Sequence, residues 1–366
     1  MYENELGVLL AKDRFRERKL YKGFADFASN DYLGFASDKN QIKKATKTLL
    51  KQEFYSPRAS QLVNGYAHIH AKFEELLCKT NGFESAMLFG SGFLANLSLS
   101  STLARKGDLI LMDAEYHASG VMGTENSQGK VEFFDHNNAD MLVQKLQNRD
   151  AYERVFIFVE GVYSMIGDIL NPKIFEIADK YNAVLVVDEA HSVGVLGENL
   201  LGVFEHFDIE PKENHIKMGT MGKALGSFGA YVLASSDVIS FLENRARPFV
   251  YATALSLFDT ALAYHNYKKM LKNAKKLKKI VDDRMQRVCD ATNNHFDTPI
   301  VMLEAEQNQT KKLHNILFAN KILTGFIRPP TVARAALRVV VGVGESEDKF
   351  DKLLTILRQM NLKRAF

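Results

Sequence analysis

Short, unbroken apolar runs punctuate the first two thirds of the chain. Residues 86–89, 109–112, 155–159 and 183–187 each hold four or five consecutive apolar side chains. Runs this short, closed by Gly or a charged residue, read as strands covered on both faces, the pattern of a parallel sheet. Between them lie stretches of helical period. Ile69, Phe73, Leu76 and Leu77 share one face over 68–80, and Pro172 to Lys180 reads as the crossover helix into the 183–187 run, completing a right-handed βαβ unit. This rhythm predicts an α/β fold with a mostly parallel sheet.

The ends of the chain follow other patterns. Residues 1 to about 20 read as a charged amphipathic helix with Leu6, Leu9, Leu10 and Phe15 as its apolar members. A short strand over Phe24–Ala28 and a helix over Ile42–Lys51 follow. The composition shifts around Pro248, and one long helix is expected from Asp259 to Val288, with Leu262, Met270, Leu277, Val281, Met285 and Val288 as its inner stripe. Beyond it the pattern predicts strand 300–303, helix 310–320, strands 322–327 and 337–341, and a helix over 345–360, a small α+β unit. The expected division is an arm (1–45), a large domain (46–247) and a small C-terminal domain (248–366).

Composition narrows the function classes. A chain of 366 residues can bury two cores, and 46% hydrophobic with 25% charged residues is ordinary for a soluble globular protein. The net charge of +3 gives the whole molecule no strong field. Seven lysines between Lys268 and Lys279 line one face of the long helix, either as a solvated face or as a dock for an acidic partner. No aromatic interleaving accompanies them, which argues against nucleic acid. Cys78 and Cys289 fit no metal spacing and suggest a reducing compartment. No leader-like apolar segment opens the chain and no run approaches a membrane span, so a cytoplasmic protein is expected. His68 and His70 lack a third nearby ligand, and no metal is expected.

Chemistry concentrates where strands end. The 183–187 run closes on Asp188, with His191 three residues on, at the carboxyl end of a strand where open α/β sheets bind ligands. Lys223 stands alone among Gly, Ala, Ser and Thr, in a setting that lets a ligand approach closely and favours a nucleophilic amine. The spacing on either side of Lys223 fails the phosphate-loop pattern. Strand-end Asp, His and a lysine in small-residue surroundings suit pyridoxal phosphate (PLP): the lysine bonds its aldehyde and the carboxylate keeps the ring nitrogen protonated. A rival reading starts from Gly90-Ser91-Gly92-Phe93-Leu94-Ala95, a dinucleotide-type fingerprint with Asp113 closing the next strand, which would make the chain a nicotinamide-dependent oxidoreductase.

Asp188-Glu189-Ala190-His191-Ser192-Val193-Gly194 with Thr220-Met221-Gly222-Lys223-Ala224-Leu225-Gly226 resembles the α-oxoamine synthases, fold type I PLP enzymes. The resemblance extends over Ser29–Gly34, Leu62–Tyr66, Ser91–Asn96, Glu160–Met165 and Ile327–Val332. It implies a seven-stranded, mostly parallel sheet and a decarboxylative acyl transfer onto an amino acid. By the same resemblance Lys223 carries the cofactor and acts as general base, Asp188 faces the ring nitrogen, and His191 and Ser164 meet the ring hydroxyl. His117, otherwise a lone histidine after a strand, would stack on the ring. Gly92, Phe93 and Thr220 would bind the phosphate, and Thr253 would reach the phosphate of a partner subunit, implying a homodimer. Asn30, Arg338 and Thr331 would serve the substrate. The run Ile327-Arg328-Pro329-Pro330-Thr331-Val332 is most similar to the biotin-pathway member, which implies L-alanine and a pimeloyl thioester carried by coenzyme A or acyl carrier protein. Glycine-using members share the same central residues. Arg14, Arg16 or Arg18 would meet the far end of the acyl chain, with Arg16 preferred. Ser56–Gln61 departs from the family pattern, with Pro57 and Arg58 where Gly is expected and Gln61 where Arg is.

Overall fold

The computed structural model describes every residue except 13, 148, 306–308, 330, 331, 333 and 366. The amino-terminal arm holds α1 (Glu3–Ala11), which is exposed along its whole length, and β1 (Ala25–Asp26). The expected helix over the first twenty residues therefore stops at Ala11, since none of its apolar positions is buried. Next come α2 (Lys39–Leu49), started by Asp38, whose carboxylate accepts from the Asn40 and Gln41 amides, and α3 (His68–Asn81).

The main sheet is built from β2 (Ser85–Phe89), β3 (Leu109–Asp113), β4 (Lys130–Phe134), β5 (Val155–Glu160), β6 (Val184–Asp188), β7 (His215–Thr220) and β8 (Ala230–Ala234). Their order is β2-β8-β7-β6-β5-β3-β4, and every ladder from β7 to β4 is parallel. Only β8 is reversed, antiparallel to both β7 and β2. The helices α4 (Gly92–Thr102), α5 (Ala118–Thr124), α6 (Ala139–Leu146), α7 (Lys173–Lys180), α8 (Val203–His206), α9 (Ser236–Arg245) and α10 (Arg247–Val250) connect or flank these strands. Residues of β3, β5 and β6 are buried on both sides of the sheet, which explains their continuous apolar character. The strand ends matter for function. Asp113, Glu160, Asp188 and Thr220 are the last residues of β3, β5, β6 and β7, so the carboxyl end of the parallel strands is a row of polar side chains.

The 36-residue α11 (Leu257–Thr292) links two cores. Its first half, including Tyr264, Tyr267 and Met270, packs into the core of the main sheet, while Val281, Met285 and Val288 enter a second core. That second core is covered by a four-stranded antiparallel sheet of β9 (Ile300–Ala305), β11 (Gly325–Ile327), β12 (Ala336–Val340) and β13 (Leu362–Arg364), in the order β11-β12-β9-β13. The helices α12 (Thr310–Ala319) and α13 (Glu347–Leu357) complete it. The strand expected over 322–327 is split: β10 (Ile322–Leu323) pairs with β1, and β11 pairs with β12. Ala25 and Phe27 of the arm accordingly belong to the second core. On this packing we place the boundary between the large and small units inside α11, between Leu277 and Val281, rather than at residue 248. Among the described residues no helix is long and apolar enough to cross a membrane.

Candidate active site

Asp188 is 4% exposed at the end of β6, and both of its oxygens are held. Oδ2 accepts from Asn96 Nδ2 at 2.7 Å and Oδ1 from the Ala190 amide at 2.9 Å. Asn96 is fixed in turn: Tyr116 OH donates to its Oδ1 at 2.9 Å and its Nδ2 also lies 3.2 Å from Ser119 Oγ. Ser119 Oγ lies 2.7 Å from His117 Nδ1. A buried polar chain thus joins His117 to Asp188 through α4 and α5. His117 caps α5, its Nδ1 accepting from the Ser119 amide, with part of the ring buried and part of the residue left accessible. Burial of its ring holds its pKa below the ordinary histidine value.

Lys223 lies in the turn between β7 and β8. Its Nζ is 2.5 Å from His191 Nε2, and His191 Nδ1 is 2.6 Å from the hydroxyl of buried Tyr32. Burial, reinforced by the lysine beside it, pushes His191 far below its ordinary pKa, so the ring is neutral at neutral pH. Burial likewise lowers Lys223 to about 8, although Asp188 and Glu160 pull it upward. Gly226 makes this turn possible. It adopts φ +52° and presses against the backbone of Phe35 and Ala36, where a side chain would collide.

The α4 amino terminus faces this lysine turn. Gly92 sits against Thr220, whose hydroxyl donates to the Gly229 carbonyl at 3.1 Å and accepts from the Gly222 amide at 3.2 Å. Ser91 caps the helix by accepting from the Leu94 amide at 3.2 Å, which leaves the Gly92 and Phe93 amides without intrahelical acceptors. Such an end suits a phosphate.

Arg338, on β12, enters from the small sheet and is 8% exposed. Its Nε donates to the Ser164 carbonyl at 3.1 Å, and both terminal nitrogens lie 3.1 Å from Asn30 Oδ1. These are neutral acceptors. Among the described residues no carboxylate forms an ion pair with Arg338, so a buried cation is left with capacity for an anion. Ser164 is half-buried, with its amide donating to Glu160 Oε2 at 3.0 Å.

Glu160, Tyr32 and Asn96, all three part of this cluster, have no role assigned from the sequence. Glu160 lies directly opposite Asp188 in the β5–β6 register, and burial, with Asp188 adding to it, raises its pKa well above the carboxylate range. Its Oε1 is buried without a protein partner. Tyr32 falls inside the Ser29–Gly34 motif without a role of its own. The signal for Glu160 was present, because it closes a parallel strand as Asp188 does. Nothing local marked Tyr32, since its partner is 159 residues away.

These features fit PLP. A nucleophilic amine, a strand-end carboxylate, a helix terminus with free amides and an exposed imidazole face converge on one crevice, and the orphaned Glu160 oxygen borders it. The dinucleotide reading does not fit. Asp113 is fully buried and its carboxylate accepts from Tyr163, His136 and the Asn137 and Glu115 amides, so no ribose can reach it. The strand before the glycines is also the sheet's edge strand, beside the reversed β8, rather than a central parallel strand.

Thr253 is exposed beyond α10, near exposed Tyr251. Thr331 lies outside the described residues. Arg14 and Arg16, but not Arg18, line a cavity of about 780 Å³ with Leu6, Leu9, Phe15 and Met165. Met165 follows Ser164 directly, which places this cavity next to Arg338. In the altered loop, Gln61 Nε2 donates to the Leu88 carbonyl at 2.9 Å, and Arg58 stacks 3.8 Å over Phe54. Both nitrogens of His70 are occupied by backbone, by the Ala67 amide and the Leu255 carbonyl.

Comparison with known proteins agrees with this geometry. The family described as aminotransferase class I and II matches residues 22–357. Two 8-amino-7-oxononanoate synthases of Helicobacter pylori, from strains 26695 and J99, are 40% and 42% identical to the chain over 370 aligned positions, covering 100% of it and 99% of each relative. Among solved structures, the 8-amino-7-oxononanoate synthase of Francisella tularensis is 30% identical with a TM-score of 0.75, covering 92% of this chain and 97% of that one. Serine palmitoyltransferase of Sphingomonas wittichii shares the fold, with a TM-score of 0.88 at 24% identity over 98% of this chain and 96% of that one.

Proposed function

The chain belongs to the class I and II aminotransferase family as a PLP-dependent acyltransferase of the α-oxoamine synthase type, and on that premise we propose that it condenses L-alanine with a pimeloyl thioester to give 8-amino-7-oxononanoate, carbon dioxide and free thiol. The carrying observation is the Lys223 amine, lowered to about 8 and set 2.5 Å from a neutral His191 beside buried Asp188. PLP, when bound, supplies an electron sink that makes the amino-acid Cα–H acidic.

The chain's own residues do the rest. Lys223 Nζ would hold the cofactor, and its amine, freed of that bond, is the base placed to take the Cα proton. Asp188 would keep the ring nitrogen protonated, and Asn96 and the Ala190 amide hold its carboxylate in place for that task. His117 would offer its ring face to the cofactor, and His191 and Ser164 would meet its ring hydroxyl. The Gly92 and Phe93 amides and the Thr220 hydroxyl would hold the phosphate. Arg338, aimed by Asn30 and the Ser164 carbonyl, binds the amino-acid carboxylate.

The acyl donor is read from the arm. Leu6, Leu9, Phe15, Met165 and Ile327 offer an apolar path for a methylene chain, and Arg14 and Arg16 offer cations for a distal carboxylate. A short acyl group would leave those arginines without a partner. Exposed Phe93 at the α4 terminus and Phe228 in the lysine turn, together with exposed Tyr251 and Thr253, support a homodimer that covers them. The test is a comparison of kcat/KM for pimeloyl thioester with L-alanine against acetyl- or succinyl-CoA with glycine. The expected preference is more than about tenfold, above ~1.4 kcal/mol. A higher value for glycine with a short acyl-CoA would make this a sister enzyme and remove the pimeloyl reading.

A further inference from the structure

The loop between β5 and α7, residues 161–171, carries Ser164 and Met165 and lies between the two sheets. On the small-sheet side, Thr298 Oγ1 donates to the Gly167 carbonyl at 2.6 Å and Arg338 Nε donates to the Ser164 carbonyl at 3.1 Å. Gly167, at φ +82°, packs its backbone on the Ile300 carbonyl, where any side chain would collide. On the main-sheet side the anchors come from a cluster no catalytic role accounts for. His136, just past β4, sets Nδ1 3.1 Å from Asp113 Oδ1 and Nε2 2.9 Å from Asp168 Oδ2. Asn137 follows in the left-handed region at φ +54°, and its amide donates to Asp113 Oδ2 at 2.8 Å. Its side chain bridges the loop, donating to the Ile169 carbonyl at 2.9 Å and accepting from the Asn171 amide at 2.7 Å. Tyr163, within the loop, donates to Asp113 Oδ2 at 2.7 Å, and its ring stands 4.3 Å from the His136 ring, edge to face.

We propose that His136, bridging Asp113 and Asp168, is a positioning residue that sets the 161–171 loop and, through the Ser164 carbonyl, the aim of Arg338 at the amino-acid carboxylate. The geometry demands a particular ring. A neutral imidazole donates from one nitrogen only and would turn a lone pair toward a carboxylate at the other, so two carboxylate contacts require both nitrogens protonated. Burial alone would lower the pKa of His136, but Asp113 and Asp168 raise it to about 10. The groups facing the ring are Asp113 from β3, Asp168 from the loop and the Tyr163 hydroxyl-bearing ring, and the two carboxylates outweigh the rest. Removing the imidazole leaves a fully buried Asp113 beside Asp168, whose Oδ1 already lacks a partner. The loop then has reason to move away, taking the Ser164 carbonyl from Arg338.

This inference rests on the reading that Arg338 binds the amino-acid carboxylate, and the test separates the two. His136→Ala, Asp168→Asn, Arg338→Lys and the His136→Ala/Arg338→Lys double variant are prepared as holoenzymes. L-alanine affinity is read from the visible absorption of the bound cofactor and from steady-state KM. Glycine serves as the second amino acid, because a carboxylate site acts on both. Amide hydrogen exchange reports on 161–171. The expected result is a KM for L-alanine raised about tenfold in His136→Ala with kcat within about threefold, faster exchange in the loop, and recovery with added imidazole. Asp168→Asn should raise KM in the same direction while keeping the Asp113–His136 contact, which covers the case in which His136→Ala fails to fold. In the double variant the KM losses should not add. Additive losses with a normal Arg338→Lys defect would overturn the coupling alone. An Arg338→Lys variant with unchanged amino-acid affinity would overturn the carboxylate reading and the coupling with it. Unchanged KM in His136→Ala or Asp168→Asn would also overturn the proposal.

Discussion

Asp188→Asn isolates the electrostatic part of the site from its shape. The two carboxylate oxygens each accept one hydrogen bond, from Asn96 Nδ2 at 2.7 Å and from the Ala190 amide at 2.9 Å. An asparagine keeps one acceptor and puts an NH₂ group where the other oxygen was, so one of those donors must face another donor. Asn96 cannot relieve this by turning over, because its own oxygen accepts from Tyr116 OH and its nitrogen reaches Ser119 Oγ. The structural cost is that of one buried unsatisfied donor, about 1–3 kcal/mol. The chemical cost is separate. A neutral amide cannot hold the ring nitrogen protonated, and removing one such preorganised group lowers kcat by about 10²–10³. The variant should retain the cofactor, because the lysine, the α4 terminus and Thr220 are untouched. Cofactor content from visible absorption, kcat with L-alanine and pimeloyl thioester, and stability by urea unfolding measure the three quantities. A variant that holds the cofactor and turns over within about threefold of the parent would refute the role of Asp188.

Three further outcomes follow from the charges. With Lys223 lowered to about 8, roughly a tenth of the apo-protein carries a free amine at pH 7, so cofactor capture should accelerate about tenfold per pH unit up to about 8 and then level off; acceleration continuing to pH 10 would contradict the assignment. Lys217, 1% exposed, pairs with the fully buried Glu189 at 3.5 Å and donates to the Leu201 carbonyl, so Lys217→Ala should cost about 3–5 kcal/mol in unfolding free energy, whereas a loss under ~1 kcal/mol would mean the pair is not buried as a unit. His136 has its folded pKa raised to about 10 against an ordinary value near ~6.5, so its stabilisation is complete at pH 6 and lost as pH rises through about 10; urea titrations from pH 6 to 10 should show a steeper decline in the parent than in His136→Ala, and parallel curves would exclude the imidazolium.

The sequence revealed those elements whose character is the same along their whole length. The strands β3, β5 and β6 are buried on both sides and therefore apolar throughout, which made them visible from composition alone. The strand β4, Lys-Val-Glu-Phe-Phe, lies at the sheet edge with only Phe134 buried, so it carried no comparable run. In β7 the buried Lys217 interrupts the pattern, and only its partner Glu189, on another segment, explains why a lysine is tolerated there. Thr324 sits between β10 and β11, where one apparent strand changes partners, and local sequence does not encode which neighbour a strand will find. The same distinction holds for the site. Asp188, His191 and Lys223 stood out because each breaks a local pattern, whereas Tyr32, Asn96 and His136 matter only through contacts made across the fold.

Borohydride reduction of the holoenzyme, followed by digestion and peptide mass analysis, tests most directly whether the crevice beside Asp188 is where the chemistry occurs. The added mass of the reduced cofactor should appear on the peptide containing Lys223, with loss of visible absorption, and the Lys223→Ala protein should take no label. Label on Lys217 or on another lysine, or a labelled Lys223→Ala protein, would contradict the account.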